Sequence, residues 1–230
     1  MVDFDSAVSE LGKRFNLYAV AYLAYVFFAL VEGLTPLLFL GTWIVYIILL
    51  IVLILIIVDA RKLAKIQRND EMWRFANYLF LSLFASISGS LLYVAISFAG
   101  MDSLSLAIIE VGVLVIGSLL ELVAWLSLKS YFKYVVAVDL QARGNIAARY
   151  GVIAYIATIV FTLVITLPVQ VLLVISDVIT GKDPLSVMSV LVGAAIGVLV
   201  ILAYYYSGKV LVDLSNLDKA TGKPPKRVPS

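Results

Sequence analysis

Six long apolar runs, separated by short polar or charged segments, dominate the chain. They fall at about residues 15–31, 37–58, 75–99, 104–128, 152–175 and 187–206. An α-helix rises about 1.5 Å per residue, so runs of this length cross a hydrocarbon core of about 30 Å with modest tilt. Barrel strands need only about 9–11 residues and alternate in polarity, and these runs do neither. The pattern predicts an all-α integral membrane protein of six transmembrane helices. Short connections on one side pair them as three antiparallel hairpins, about 15–58, 75–128 and 152–206. Residues 1–14 read as a cytoplasmic amphipathic lead-in, with Phe4, Ala7, Val8, Leu11 and Phe15 at helical spacing and Glu10 placed to pair with Arg14. Residues 207–230 read as a basic tail whose end, from Gly222, lacks apolar periodicity and is expected to be disordered.

Composition sharpens this picture. Of the 230 residues, 63% are hydrophobic, and the mean hydropathy is +1.08. Soluble domains carry about 45–50% apolar residues, so the excess calls for lipid as solvent. The net charge is only +2, but its placement is uneven: 16 of the 17 Lys and Arg fall on segments that the hairpin topology puts on one side, and only Lys182 lies opposite. The positive-inside rule then predicts a multi-pass cell-membrane protein with both termini cytoplasmic. Its basic segments (Arg61 to Arg74, Lys129 to Arg149, Lys209 to Arg227) meet anionic headgroups at roughly 1 kcal/mol per charge. No soluble segment is long enough for a basic nucleic-acid face. The expected partners are the lipid bilayer and, within it, another protein or a second copy. The acidic start, Met1 to Glu10, is unlike a cleaved leader, and none is expected.

The chain has no cysteine and no histidine. That removes disulfides, thiol chemistry, the commonest zinc and haem ligands, and the commonest general base. No phosphate-binding glycine loop or nucleophile–base pair is present either. Neither a cofactor, a metal nor an enzymatic activity is expected.

Three landmarks recur in the same order. Odd spans open with Arg and an aromatic (Arg14-Phe15, Arg74-Phe75, Arg149-Tyr150). The far turns carry Gly and a capping residue (Gly33 with Thr35, Gly100 with Asp102, Gly181 with Asp183). Even spans exit near Val-Asp (Val58-Asp59, Val138-Asp139, Val212-Asp213). This order points to a threefold internal repeat. Hairpin punctuation converging under the same physics would give a similar series.

Within the spans, polar residues are few. Glu110 and Glu121 both lie in the fourth. Eleven residues at about 100° each bring them within about 20° of one face, roughly 16 Å apart along the axis. No Lys or Arg lies within any span. An ionised acid in lipid is costly, so each is expected to be neutral or to face a polar interior. In the third span Ser82, Ser86, Gly89, Ser90 and Tyr93 form a stripe expected to meet the Glu-bearing face. In the fifth, Pro168 frees the Val164 carbonyl and predicts a helix break, with Thr166 and Gln170 beside it. In the sixth, Ser189, Gly193 and Gly197 form a small-residue packing seam. Tyr18, Tyr22 and Tyr25, with Tyr204 to Tyr206, read as interface anchors. The even helices are expected to run on past the bilayer, through Val210, Leu211, Leu214 and Leu217 with a Lys209–Asp213 pair, and through Tyr131 to Leu140. Two roles fit: a non-catalytic membrane subunit or scaffold acting through helix packing and basic loops, which composition favours, or a small transporter or channel for protons, cations or a small solute using Glu110 and Glu121.

Overall fold

The computed structural model describes residues 4–31, 38–98, 103–168 and 184–221, with side chains throughout except at 38–39, 103–104, 184–191 and 218–221. Helix α1 spans Phe4–Val31, α2 Leu38–Gln67, α3 Asp70–Phe98, α4 Ser103–Phe132, α5 Val138–Phe161 and α6 Pro184–Thr221. All six are long and apolar enough to cross a membrane. Their outward faces carry Leu23, Phe27, Ile47, Phe84, Leu91, Ile153 and Val160, all exposed. Contiguous apolar surface of that extent is stable only against lipid, where helices satisfy their own backbone. The protein is therefore a polytopic, all-helical membrane protein. The far turns with Gly33, Gly100 and Gly181, Lys182, Gln170 and the tail from Gly222 lie outside the described residues.

Each helix packs on its neighbours in the chain, and α1 closes against α6. The bundle is thus a ring in sequence order. Its interior is unevenly filled. At the end bearing the basic segments, Phe15, Phe75, Trp125 and Tyr204 are almost wholly buried and meet as a hub, with ring centroids 5.0–6.4 Å apart. Such edge-on and tilted pairs each add about 0.5–1.5 kcal/mol beyond area burial. Around the hub Val8, Leu11, Ile56, Leu63, Met72, Leu79, Leu128 and Leu211 are fully buried. Toward the opposite end burial thins, and cavities open there.

Two close backbone approaches hold the hub end. A Cβ on Gly12 would lie 2.8 Å from the Gly208 carbonyl, and one on Gly208 would lie 2.7 Å from the Gly12 carbonyl, so α1 and α6 cross backbone to backbone. On α5, Gly151 lies flat beneath the Trp125 ring, where a Cβ would fall 2.5 Å from Cε3.

At the basic end the helices run on beyond the apolar stretches, and this alters several expectations. Residues 59–74 are not a loop: only Arg68 and Asn69 separate α2 from α3. Arg68 takes the left-handed conformation (φ 52°). The Asn69 N–H donates to the Ala64 carbonyl at 3.0 Å, ending α2 in a Schellman turn. The Asn69 side chain accepts from the Met72 N–H at 2.9 Å, capping α3. One asparagine thus serves both helix ends. Arg61 reaches from α2 to α3, bonded to Asn77 at 3.1 Å and 4.9 Å from the Phe80 ring centre.

The second basic loop shrinks to residues 133–137, and Arg143 and Arg149 sit on α5. Of Tyr131 to Leu140, only Tyr131 and Phe132 continue α4, and Val138-Asp139 opens α5 instead of closing α4. The three Val-Asp pairs do not hold equivalent places. Helix α6 does run on to Thr221, with Val210 and Leu211 buried. Asp213 binds Arg143 of α5 at 2.7 Å in place of Lys209, and Arg14 lies 3.7 Å from Asp59 in place of Glu10. The lead-in is the first turns of α1 and is packed into the core: Phe4, Ala7, Val8 and Leu11 are all buried.

Candidate functional site

Helix α4 carries Glu110 and Glu121, eleven residues apart, and the serine stripe of α3 lies along them. Close approach permits this. A Cβ on Gly89 would lie 2.9 Å from Cβ of Val113, so α3 and α4 nearly touch there. The Ser82 hydroxyl lies 3.0 Å from Oε1 of Glu121 and 3.1 Å from the Gly117 carbonyl, and its single proton serves one of them at a time. The Tyr155 phenol of α5 lies near the same carboxyl. Glu121 is thus held by a hydroxyl of α3, with a phenol of α5 close by.

Above Glu121, on the side away from the hub, opens a cavity of about 530 Å³. Glu110, Glu121, Ser86, Ser90, Tyr93 and Tyr46 line it, with Val113, Leu114 and Ser118 between. The structure thus brings Glu110, Glu121, Ser86 and Tyr93 to one cavity, whereas Ser82, outside its lining, is bonded to Glu121. A second cavity of about 520 Å³ adjoins it, sharing Tyr46, Ser90 and Val94 and adding Tyr25, Thr42 and Trp43. Among the described residues, no Lys or Arg lines either one. Among the described residues no cluster of acids could hold a metal ion.

The tyrosines depart most from the sequence reading. Tyr18 is buried and Tyr204 almost completely so, and neither anchors an interface. Neighbouring rings run from the hub outward: Tyr204 to Tyr18 at 4.2 Å, Tyr18 to Tyr22 at 6.0 Å, Tyr22 to Tyr25 at 5.9 Å, Tyr25 to Tyr46 at 6.4 Å, Tyr46 to Trp43 at 6.2 Å. The Glu121 carboxyl lies within electrostatic range of Tyr18, Tyr22, Tyr155 and Tyr204. The signal was present as spacing: residues 18, 22 and 25 repeat at four and three along one helical face. Tyr205 and Tyr206 are exposed, as interface residues are.

Pro168 acts upstream of itself. The α5 helix passes into a π turn over Thr162–Thr166, where the Leu167 N–H donates to the Thr162 carbonyl five residues back. That shift is how the helix absorbs a missing donor. Thr162 is buried, Thr166 half-buried and Pro168 exposed, and none of them lines the cavities. Gln170 lies outside the described residues. In the α6 seam, Gly197 faces Val26 of α1, with a Cβ there 3.0 Å from it, whereas Gly193 has nothing within 4 Å and the Ser189 side chain is outside the described residues. The tight crossing of α6 lies instead at Gly208, eleven residues on.

Comparison with family models, with curated proteins and with solved structures finds no match to this chain.

Proposed function

We propose that the protein is a small membrane carrier for a proton or cationic solute, not an enzyme, and that the chamber between α2, α3 and α4 is its binding site. One observation carries this: in a bundle whose spans hold no basic residue, both intramembrane acids open onto a single cavity of about 530 Å³. Pure packing glue would leave such acids enclosed between helices. Carboxyls on a cavity wall are the usual mark of an ion or substrate path. The aromatic hub below Glu121 closes that path at the basic end, as one closed state of an alternating-access carrier requires. The basic end is assigned to the cytoplasm on charge alone, so both termini are cytoplasmic and the chamber faces outward in a cell membrane.

The test is flux into proteoliposomes, run with protons, Na⁺, K⁺ and the permeant cation tetraphenylphosphonium against empty vesicles. Protein-dependent movement of at least one of these, lost in the Glu110→Gln, Glu121→Gln double variant, is expected. Movement identical in vesicles with and without protein overturns the carrier reading and leaves the non-catalytic subunit, which co-purification of a stoichiometric partner would then identify.

A further inference from the structure

Taking the chamber as a solute site, we infer that it is built for an organic cation with an apolar body, an amine or quaternary onium, and not for a bare metal ion. Glu121 is the countercharge and the rings of Tyr46 and Tyr93 are the contact surface.

Three features of the wall point to that class. The first is sign. Among the described residues, the charged groups lining the two adjoining cavities are Glu110 and Glu121. An anion would be set against the Glu121 carboxyl, whereas a cation would find its countercharge there. The second is ring surface. Tyr46 and Tyr93 line the first cavity, and Tyr25 and Trp43 join Tyr46 in the second. Aromatic faces carry negative potential and attract soft, weakly hydrated cations. Phenol and indole supply this attraction without the cost of burying more charge, which suits a site within lipid. The third is size and lining. A volume of about 530 Å³ lies within the roughly 300–1,000 Å³ of organic-ligand pockets. An inorganic cation such as Ca²⁺ takes 6–8 oxygen ligands at about 2.3–2.6 Å. The wall here is instead aliphatic between its hydroxyls, with Val94, Val113 and Leu114. Such a lining cannot dehydrate a hard ion, but it covers a hydrocarbon body well.

The Glu121 carboxyl is already oriented for this task. Ser82 of α3 holds it, and a carboxylate's remaining lone pairs can still meet a ligand. Orientation before binding lowers the ordering cost when the ligand arrives.

The experiment measures binding without transport. Full-length protein in lipid nanodiscs is titrated with radiolabelled tetraphenylphosphonium, with empty nanodiscs subtracted. Saturable binding is expected. Glu121→Gln should weaken it by about 100-fold, as for removing one partner of a buried charge pair. Tyr46→Leu should weaken it by about 5- to 30-fold, while Tyr46→Phe, which keeps the ring, should stay within about threefold of wild type. Tetraphenylborate, of the same shape and opposite charge, should not compete. Far-ultraviolet melting curves identify any variant that has unfolded, and Tyr46→Phe then carries the test for Tyr46. Equal affinity in wild type and folded Glu121→Gln, or competition by tetraphenylborate, overturns the inference. Proton or K⁺ flux without tetraphenylphosphonium binding removes the organic-cation class and keeps the carrier. Binding without any flux keeps the cation site and removes the carrier.

Discussion

Gly151→Ala tests whether the aromatic hub is as tightly set as its geometry states. The new methyl would fall 2.5 Å from Cε3 and 2.6 Å from Cγ of Trp125, where ordinary contact begins near 3.4 Å. The indole cannot yield, because Phe15, Phe75 and Tyr204 surround it and it is fully buried. Helix α5 must therefore back away from α4 by about 1 Å. Overpacking of this kind costs about 1–3 kcal/mol. Replacing a helical glycine by alanine separately contributes about 1 kcal/mol of stability, so the measured loss understates the clash. Gly112→Ala supplies the correction: a Cβ there meets nothing within 4 Å. The two variants should differ by about 1–3 kcal/mol, Gly151→Ala being the weaker. Denaturant unfolding in bicelles, followed by helical circular dichroism, measures the difference. On a Trp125→Leu background the deficit should shrink below about 0.5 kcal/mol, because the obstacle is gone. Equal stability of the two glycine variants, or a deficit unchanged by Trp125→Leu, refutes the reasoning.

Other outcomes follow from the helix ends and the charges. Arg68→Gly should stabilise the protein by about 1 kcal/mol, since glycine takes the left-handed conformation without steric cost, whereas Asn69→Ala should destabilise it by about 0.5–2 kcal/mol through loss of the α3 cap; the same unfolding assay gives both signs. Asp213→Asn should cost no more than about 1 kcal/mol, because both it and Arg143 are more than a third exposed and solvent screens them; a larger, salt-independent loss would contradict that. The chain has no native cysteine, so single replacements report topology directly: in intact cells a membrane-impermeant maleimide should label Phe98→Cys and spare Lys65→Cys until the membrane is opened. The reverse pattern would invert the orientation.

Hydropathy made the six spans legible, because lipid imposes one simple demand on composition. It underestimated the helices, however. Residues 59–67 and 138–151 carry charges and look like connections, yet they remain helical because the bundle continues past the apolar stretches and buries Ala60, Leu63, Leu140 and Ala147 there. The contact between Ser82 and Glu121 could be anticipated, since hairpin neighbours with matching polar stripes have few other ways to satisfy them. The inward course of the tyrosines was harder to foresee. Tyrosine suits an interface and a protein interior equally well, and position along one strand of sequence does not choose between them. The Gly12–Gly208 crossing was hidden because Gly12 stands in a segment read as a lead-in, and its partner lies at the far end of the chain.

The closure of α1 on α6 has a consequence for biogenesis. The first helix leaves the ribosome and enters the bilayer while its main partner is still untranslated, separated from it by residues 32–183. Until the last helix arrives, the Gly12 notch stays uncovered and the barrel-like assembly remains split along its length. The final helix is its keystone: a premature stop anywhere before Pro184 leaves an open stave arrangement whose seam membrane quality control can recognise.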